Sequence, residues 1–149
     1  MKIAGELSVR APRTAVFDAL KDARFFASCV DGVQELTEID ASHYSAVFET
    51  KIAYMKFRFD VTVEMTRAEP PGLIEGKVEG KPMGLVGRLT ATAVTRLSAD
   101  GDTTRITYEI DSTLTGKLGS MGQPVLKAKA KELEKQFASR LRAKFEQPS

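Results

Sequence analysis

Apolar and polar positions alternate through most of this chain, and in two places the alternation gives way to a helical period. From Lys2 to Arg10, Ile3, Gly5, Leu7 and Val9 fall on one face and Lys2, Glu6, Ser8 and Arg10 on the other, as in a half-buried strand. Ala11-Pro12-Arg13 then opens a helix, because proline suits a first turn, and Val16, Phe17 and Leu20 form its apolar face. Asp22 starts a second short helix through Phe25, Phe26 and Val30, and Asp31-Gly32 ends it in a turn.

Strands follow at short intervals. Gln34–Asp40 is weakly patterned, whereas His43–Ile52 alternates through Tyr44, Ala46, Phe48, Thr50 and Ile52. Lys56–Arg67 is the clearest, with Phe57, Phe59, Val61, Val63 and Met65 on one face and Lys56, Arg58, Asp60, Thr62 and Glu64 on the other. Leu73–Gly80, Leu85–Leu97 and Thr104–Leu114 complete the set, with turns at Pro70-Pro71-Gly72 and Asp100-Gly101-Asp102. Ile106, Tyr108, Ile110 and Leu114 share a face in the last of them. From about Ser120 to Phe145 the period changes for good. Met121, Val125, Leu126, Leu133, Phe137, Leu141 and Phe145 recur in steps of three, four or their sums, predicting an amphipathic helix roughly 35–40 Å long.

The order β-α-α-β-β-β-β-β-β-α predicts an α+β domain spanning residues 1–149. A curved seven-stranded antiparallel sheet would wrap the long C-terminal helix, with two short helices after the first strand. The space between sheet and helix is either core or pocket. Gly76, Gly80, Gly84 and Gly87, continued by Ala91 and Ala93, either permit bends and tight helix packing or leave volume for a ligand.

At 149 residues, with 42% hydrophobic and 28% charged residues, the chain can bury a core without disulfides or metal. The net charge of +2 gives no overall field for nucleic acid. Its distribution is uneven. Residues 120–149 carry Lys127, Lys129, Lys131, Lys135, Arg140, Arg142 and Lys144 against Glu132, Glu134 and Glu146. That is either a solvated helix face or a basic docking surface on Lys127, Lys131 and Lys135, spaced one turn apart, for an acidic partner or an anionic membrane. The lone Cys29 excludes an internal disulfide and fits a reducing compartment. A single histidine, His43, leaves no metal cluster of recognisable spacing, and no phosphate loop, dinucleotide fingerprint or nucleophile elbow occurs. Nothing in these residues points to catalysis. The start of the chain lacks a signal-peptide pattern and no run reaches the roughly 20 apolar residues of a bilayer span, so the expected location is cytoplasmic, with any membrane contact peripheral.

Layout and local strings together resemble the helix-grip fold of the START and birch-pollen-allergen (SRPBCC) superfamily, and within it the CoxG family associated with carbon monoxide dehydrogenase. The strings are Ala11-Pro12-Arg13 with Val16 and Leu20, Cys29-Val30-Asp31-Gly32, Glu69-Pro70-Pro71, Gly80 with the glycines after it, and Asp100-Gly101 before Thr104-Arg105-Ile106-Thr107-Tyr108. Gly116-Lys117-Leu118-Gly119 and the basic helix through Lys131-Glu132-Leu133 and Gln136-Phe137 complete the series. Asp31 stands where the family usually has proline, and Gln123-Pro124 interrupts the usual start of the last helix. Many members continue into a low-complexity linker and a hydrophobic anchor, whereas this sequence ends at Gln147-Pro148-Ser149.

The resemblance implies a non-catalytic partner of a molybdenum carbon monoxide dehydrogenase or related hydroxylase, at the inner face of the cell membrane, linking it to the quinone pool. With the apolar concave face beside small residues, it makes an isoprenoid quinone, menaquinone or ubiquinone, the expected ligand. The expected walls are Phe17, Phe26, Phe48, Phe57, Phe59, Val61, Leu89, Ile110, Leu118, Met121, Val125 and Phe137, with Tyr44 and Tyr108 offering hydroxyls to a quinone carbonyl. An adaptor with no small-molecule ligand, acting through the lysine stripe, is the alternative. A cyclase or hydrolase on the same fold would need a polar or ionisable group inside the cavity. Access is expected at residues 116–122, opposite a lip at Phe25-Phe26.

Overall fold

The structure is a computed structural model and describes residues 1–52, 54–116 and 119–145. Its elements are β1 (Lys2–Val9), α1 (Arg13–Lys21), α2 (Ala23–Cys29), β2 (Val33–Asp40), β3 (His43–Ile52), β4 (Met55–Glu69), β5 (Leu73–Pro82), β6 (Leu89–Asp100), β7 (Thr103–Leu114) and α3 (Gln123–Phe145). The strands form one seven-stranded antiparallel sheet in the order β1-β7-β6-β5-β4-β3-β2, so the chain meanders from β2 to β7 and β1 closes on β7. This is the α+β helix-grip arrangement that the alternation predicts.

Local chemistry explains the boundaries. α1 begins after Pro12, and the Asp22 carboxylate caps α2 by accepting from the backbone N–H of Arg24 at 3.0 Å and Phe25 at 3.3 Å. β2 is poorly patterned because its register slips between Gln34 and Thr37, where Glu35 adopts a φ of 52°. β6 starts at Leu89, not at Leu85 as the alternation suggests. The preceding residues form a connection whose Arg88 carbonyl accepts from Thr115 N–H at 3.0 Å, against the end of β7. The last helix likewise starts later than its apolar period. Gly119–Met121 is a 3-10 turn and Gly122 has a φ of 91°, so α3 opens at Gln123. Gln123-Pro124, an interruption by family pattern, is in fact its first turn, where the proline nitrogen would have had no helical partner.

Strand directions put two distinct ends on the molecule. At the apical end lie the β3–β4 hairpin, the β5–β6 connection and the start of α3; at the basal end lie the β2–β3, β4–β5 and β6–β7 turns. Each end has its own buried cluster. The basal one joins Val9, Ala11, Val16, Phe17, Leu20, Leu97, Ile106 and Leu141, bringing α1, the sheet and the last turns of α3 together. The apical one is smaller: Ile52, Phe57 and Phe59, with Phe48, Val61, Leu85, Leu114 and Met121 partly buried against it. Among the described residues, no helix is long and apolar enough to cross a membrane.

Candidate functional site

Between the two clusters the concave face is only half-buried. Val61, Val63 and Met65 of β4, Val78 of β5, Ala91 and Ala93 of β6 and Ile110 of β7 all keep part of their surface accessible. Leu126, Ala130 and Leu133, spaced to face the sheet from α3, do the same. In a filled two-layer core these positions would be the most deeply buried in the chain. Here they border an apolar cleft between sheet and helix. Register makes its floor shallow: Gly76 pairs with Ala93, and Ala93 with Ile110, so the centre of the sheet carries its smallest side chains.

The cleft widens along one flank of α3 into an open groove of about 730 Å³. Leu7 and Tyr108 come from the sheet and Ala128 and Ala138 from the helix, with Glu6, Lys131, Glu132, Glu134, Lys135 and Arg142 adding charge. Tyr108 donates its hydroxyl to Glu134 Oε2 at 3.0 Å, the polar link between sheet and helix in this groove. Burial, then the hydrogen bond to Glu134 and its charge, push the Tyr108 phenol up to about 12. The ring has room only because Gly5 is opposite: a Cβ there would overlap the Tyr108 hydroxyl. On the flank of α3 towards α2, Gln136 Oε1 is buried with no hydrogen-bond partner among the described residues.

The sequence-derived wall residues fall into separate groups. Phe57 and Phe59 are buried in the apical cluster, with Phe48, Val61 and Met121 against them; Phe48 stacks on Phe59 at 6.1 Å between ring centroids. Leu89 lies over Gly80, and Leu89 and Ile110 are half-buried on the concave face. Phe17, 2% exposed, belongs to the basal core, and Phe137 packs at its edge. Phe26 is 45% exposed with its ring 5.0 Å from that of Phe137, so it borders the middle of the cleft, whereas Met121 borders its apical end. Val125 is 38% exposed. Leu118 and Lys117 of the expected access segment lie outside the described residues.

The two tyrosines part company. Tyr44 donates to the Ala41 carbonyl at 2.8 Å and borders a small polar niche of about 330 Å³ with Lys21, Asp22, Glu38 and Asp40 at the basal end. Tyr108 alone of the pair reaches the cleft. Of the lysine stripe, Lys127, Lys131 and Lys135 are all exposed, and the last two form the rim of the groove. Periodicity alone misses Leu7, Glu134, Ala128 and Ala138. Glu134 reads as a solvated helix charge unless its place on the sheet-facing side is tracked from Leu141; the alanines at 128, 130 and 138 were the available signal.

Among the described residues no group of three His, Cys, Asp or Glu is placed to hold a metal. His43 belongs to a basal surface cluster, Nδ1 2.8 Å from Asp40 Oδ1, and burial pushes the Cys29 thiol up.

Comparison with known proteins adds the family. The sequence matches the family of the carbon monoxide dehydrogenase G subunit (CoxG) over residues 5–146. Comparison with curated protein sequences gives no match. A conserved protein from Geobacillus kaustophilus is similar in structure, with a TM-score of 0.89 and 25% identity over 97% of this chain and 95% of that one. A START superfamily protein from Mycobacterium smegmatis gives 0.73 and 15%, covering 98% of this chain and 97% of that one. The Zhui aromatase/cyclase from Streptomyces sp. R1128 gives 0.72 and 12%, covering 98% and 93%; identities this low speak to fold alone. A CoxG match across nearly the whole sequence, on a structure shared with the START superfamily, means that the chain belongs to the carbon monoxide dehydrogenase CoxG family within that superfamily.

Proposed function

We propose that this protein binds a hydrophobic small molecule, an isoprenoid quinone such as menaquinone or ubiquinone, in the cleft between the sheet and α3. In this reading it performs no chemical step itself. It connects a molybdenum carbon monoxide dehydrogenase, or a related hydroxylase, to the quinone pool from a peripheral position at the inner face of the cell membrane. The observation that carries the reading is the half-buried apolar centre of the concave face, whose walls leave accessible surface where a solid core would leave none. Each Å² of ligand surface buried there is worth about 25 cal/mol, so an isoprenoid tail gains affinity by length and a head group adds orientation. Glu134, held by Tyr108, offers a carboxylate to accept from a quinol hydroxyl. The dehydrogenase partner is supported by the family description alone.

Purified protein extracted with organic solvent should yield a quinone, and native mass spectrometry should show the matching mass on the intact chain. Extracts free of both quinone and lipid would sink the ligand reading. They would favour the second one, an adaptor that works through its exposed Lys127, Lys131 and Lys135 without a small molecule.

A further inference from the structure

The apical end of the molecule carries large apolar side chains that no described residue covers. Tyr54 is 97% exposed and Met55 53% at the tip of the β3–β4 hairpin; Val86 is 83% exposed and Met83 43% in the β5–β6 connection. These two tips are neighbours. Met83 N–H donates to the Arg58 carbonyl at 2.8 Å, and Phe59 pairs with Pro82. The start of the β7–α3 connection joins them, since Gly116 packs so close to Val86 that a Cβ would overlap its carbonyl. Four protruding apolar residues on converging loops make a set of wedges, unlike a flat or grooved patch that would mate with a protein.

Charge says what the wedges enter. The three segments that converge here, residues 50–59, 80–99 and 112–131, contain no aspartate or glutamate. Within them stand Lys51 and Lys56 beside the first tip and Lys81 and Arg88 beside the second. Glu49, at the flank, is taken up by Lys56 and Arg58. Apolar tips ringed by long basic side chains match the layering of a membrane interface, with side chains at acyl depth and cations among anionic head groups.

We propose that the β3–β4 and β5–β6 tips are a docking surface for an anionic phospholipid bilayer, standing the protein on the membrane with α3 starting at the lipid. This supplies a surface for the peripheral position proposed for the protein and presents the apical end of the cleft to the bilayer. Docking itself requires no ligand, so ligand-free protein tests it apart from quinone binding.

The full chain, stripped of ligand, should co-sediment with vesicles of phosphatidylglycerol and phosphatidylcholine, and far less with phosphatidylcholine alone or at high salt. Tyr54→Ser with Val86→Ser should lower the partition coefficient at least about tenfold. Both positions are solvent-exposed, so the melting temperature should hold. The chain has no tryptophan, so Tyr54→Trp gives a clean reporter. Its emission should shift blue on vesicles and be quenched by brominated lipid, while Ile39→Trp, exposed on β2 near the basal end, should be unaffected. Unchanged partition of the double variant, or equal quenching at both reporters, would overturn the proposal. So would absence of vesicle binding, including the case where an acidic polypeptide binds these tips instead.

Discussion

α3 is held in two different ways along its length. Its last turns are fixed from below and from both sides: Leu141 is fully buried, Arg140 donates to the Ser28 carbonyl at 3.4 Å, Arg142 donates to the Ser8 carbonyl at 3.2 Å, and Lys144 sits 4.5 Å over the Phe25 ring. Its first turns lie over half-buried residues, with Met121 beside the small apical cluster and Val125 partly in solvent. The same helix therefore serves as structure at one end and as one wall of a cleft at the other. Stability should be concentrated basally and ligand sensitivity centrally and apically, because a position that already leaves space has less packing to lose.

The largest effect expected from that contrast is Leu141→Ala. Removing a fully buried leucine from a closed cluster costs about 2–5 kcal/mol, and a central value of about 3 would lower Tm by roughly 6–12 °C in a chain of this size. Leu133→Ala, two turns earlier and half-buried over the cleft, should cost about 1 kcal/mol or less. Equal losses in thermal melts of the two variants would mean that the centre is packed as solidly as the base.

Filling the centre sharpens the comparison from the other side. Ala93→Phe projects a ring from β6 over Gly76 and Ile110. In a solid core such overpacking costs about 1–3 kcal/mol; in a cleft it should leave Tm unchanged or raise it. Bound hydrophobic ligand, measured by extraction or titration, should fall about tenfold. A destabilised variant that still binds would reverse the assignment.

Tyr108 joins the two layers, and its loss should be modest. Tyr108→Phe removes one hydrogen bond, worth about 1 kcal/mol, and Gly5→Ala should displace the ring with a similar or larger effect. The phenol is raised in the folded state, so its contribution is complete below an unfolded value of about 10 and is lost as pH climbs through about 12. Among three tyrosines, ultraviolet titration should show one late component that disappears in Tyr108→Phe. If all three ionise together near 10 in the wild type, the Tyr108–Glu134 link is not formed in solution.

Much of the fold was legible because period and punctuation agree. The alternation at Lys56–Arg67 and the Pro70-Pro71-Gly72 turn need only local rules, and both appear where those rules put them. The boundaries that moved depend on contacts made across the structure. Leu85 to Arg88 alternates like strand, but that stretch meets Thr115 and Gly116 of another connection. The apolar steps begin at Met121, but Gly122 breaks the helix there. The cleft was harder to read. Phe17 and Phe59 look alike in sequence, each large and inward, and only tertiary packing sends the first to the basal core and the second to the apical cluster. Glu134 escaped notice because helix glutamates are usually solvated; its partner is 26 residues away on β7.

The smallest effect belongs to His43, on the β2–β3 turn, and it reports on whether the basal end stays intact when the cleft is altered. Its Nδ1 faces Asp40 Oδ1 at 2.8 Å, Ser42 Oγ lies 3.1 Å from the same nitrogen, and Nε2 faces Glu64 at 3.8 Å. The hydrogen bond to Asp40, with the two carboxylate charges, raises the imidazole above its ordinary 6.5. Asp40 is lowered, first by the backbone N–H of Ser42 and then by His43. A raised histidine favours the folded state when protonated, so its contribution is complete below about pH 6.5 and disappears as pH rises through the raised value. The group is exposed, and the effect on overall stability should be barely measurable. NMR titration still resolves it, because His43 is the sole histidine. The midpoint should lie above 6.5 in wild type, fall in Asp40→Asn, and stay in place in Ala93→Phe. A midpoint that moved with the cleft variant would show that the two ends of the molecule are coupled, and the contrast between a fixed base and a separate cleft would have to be given up.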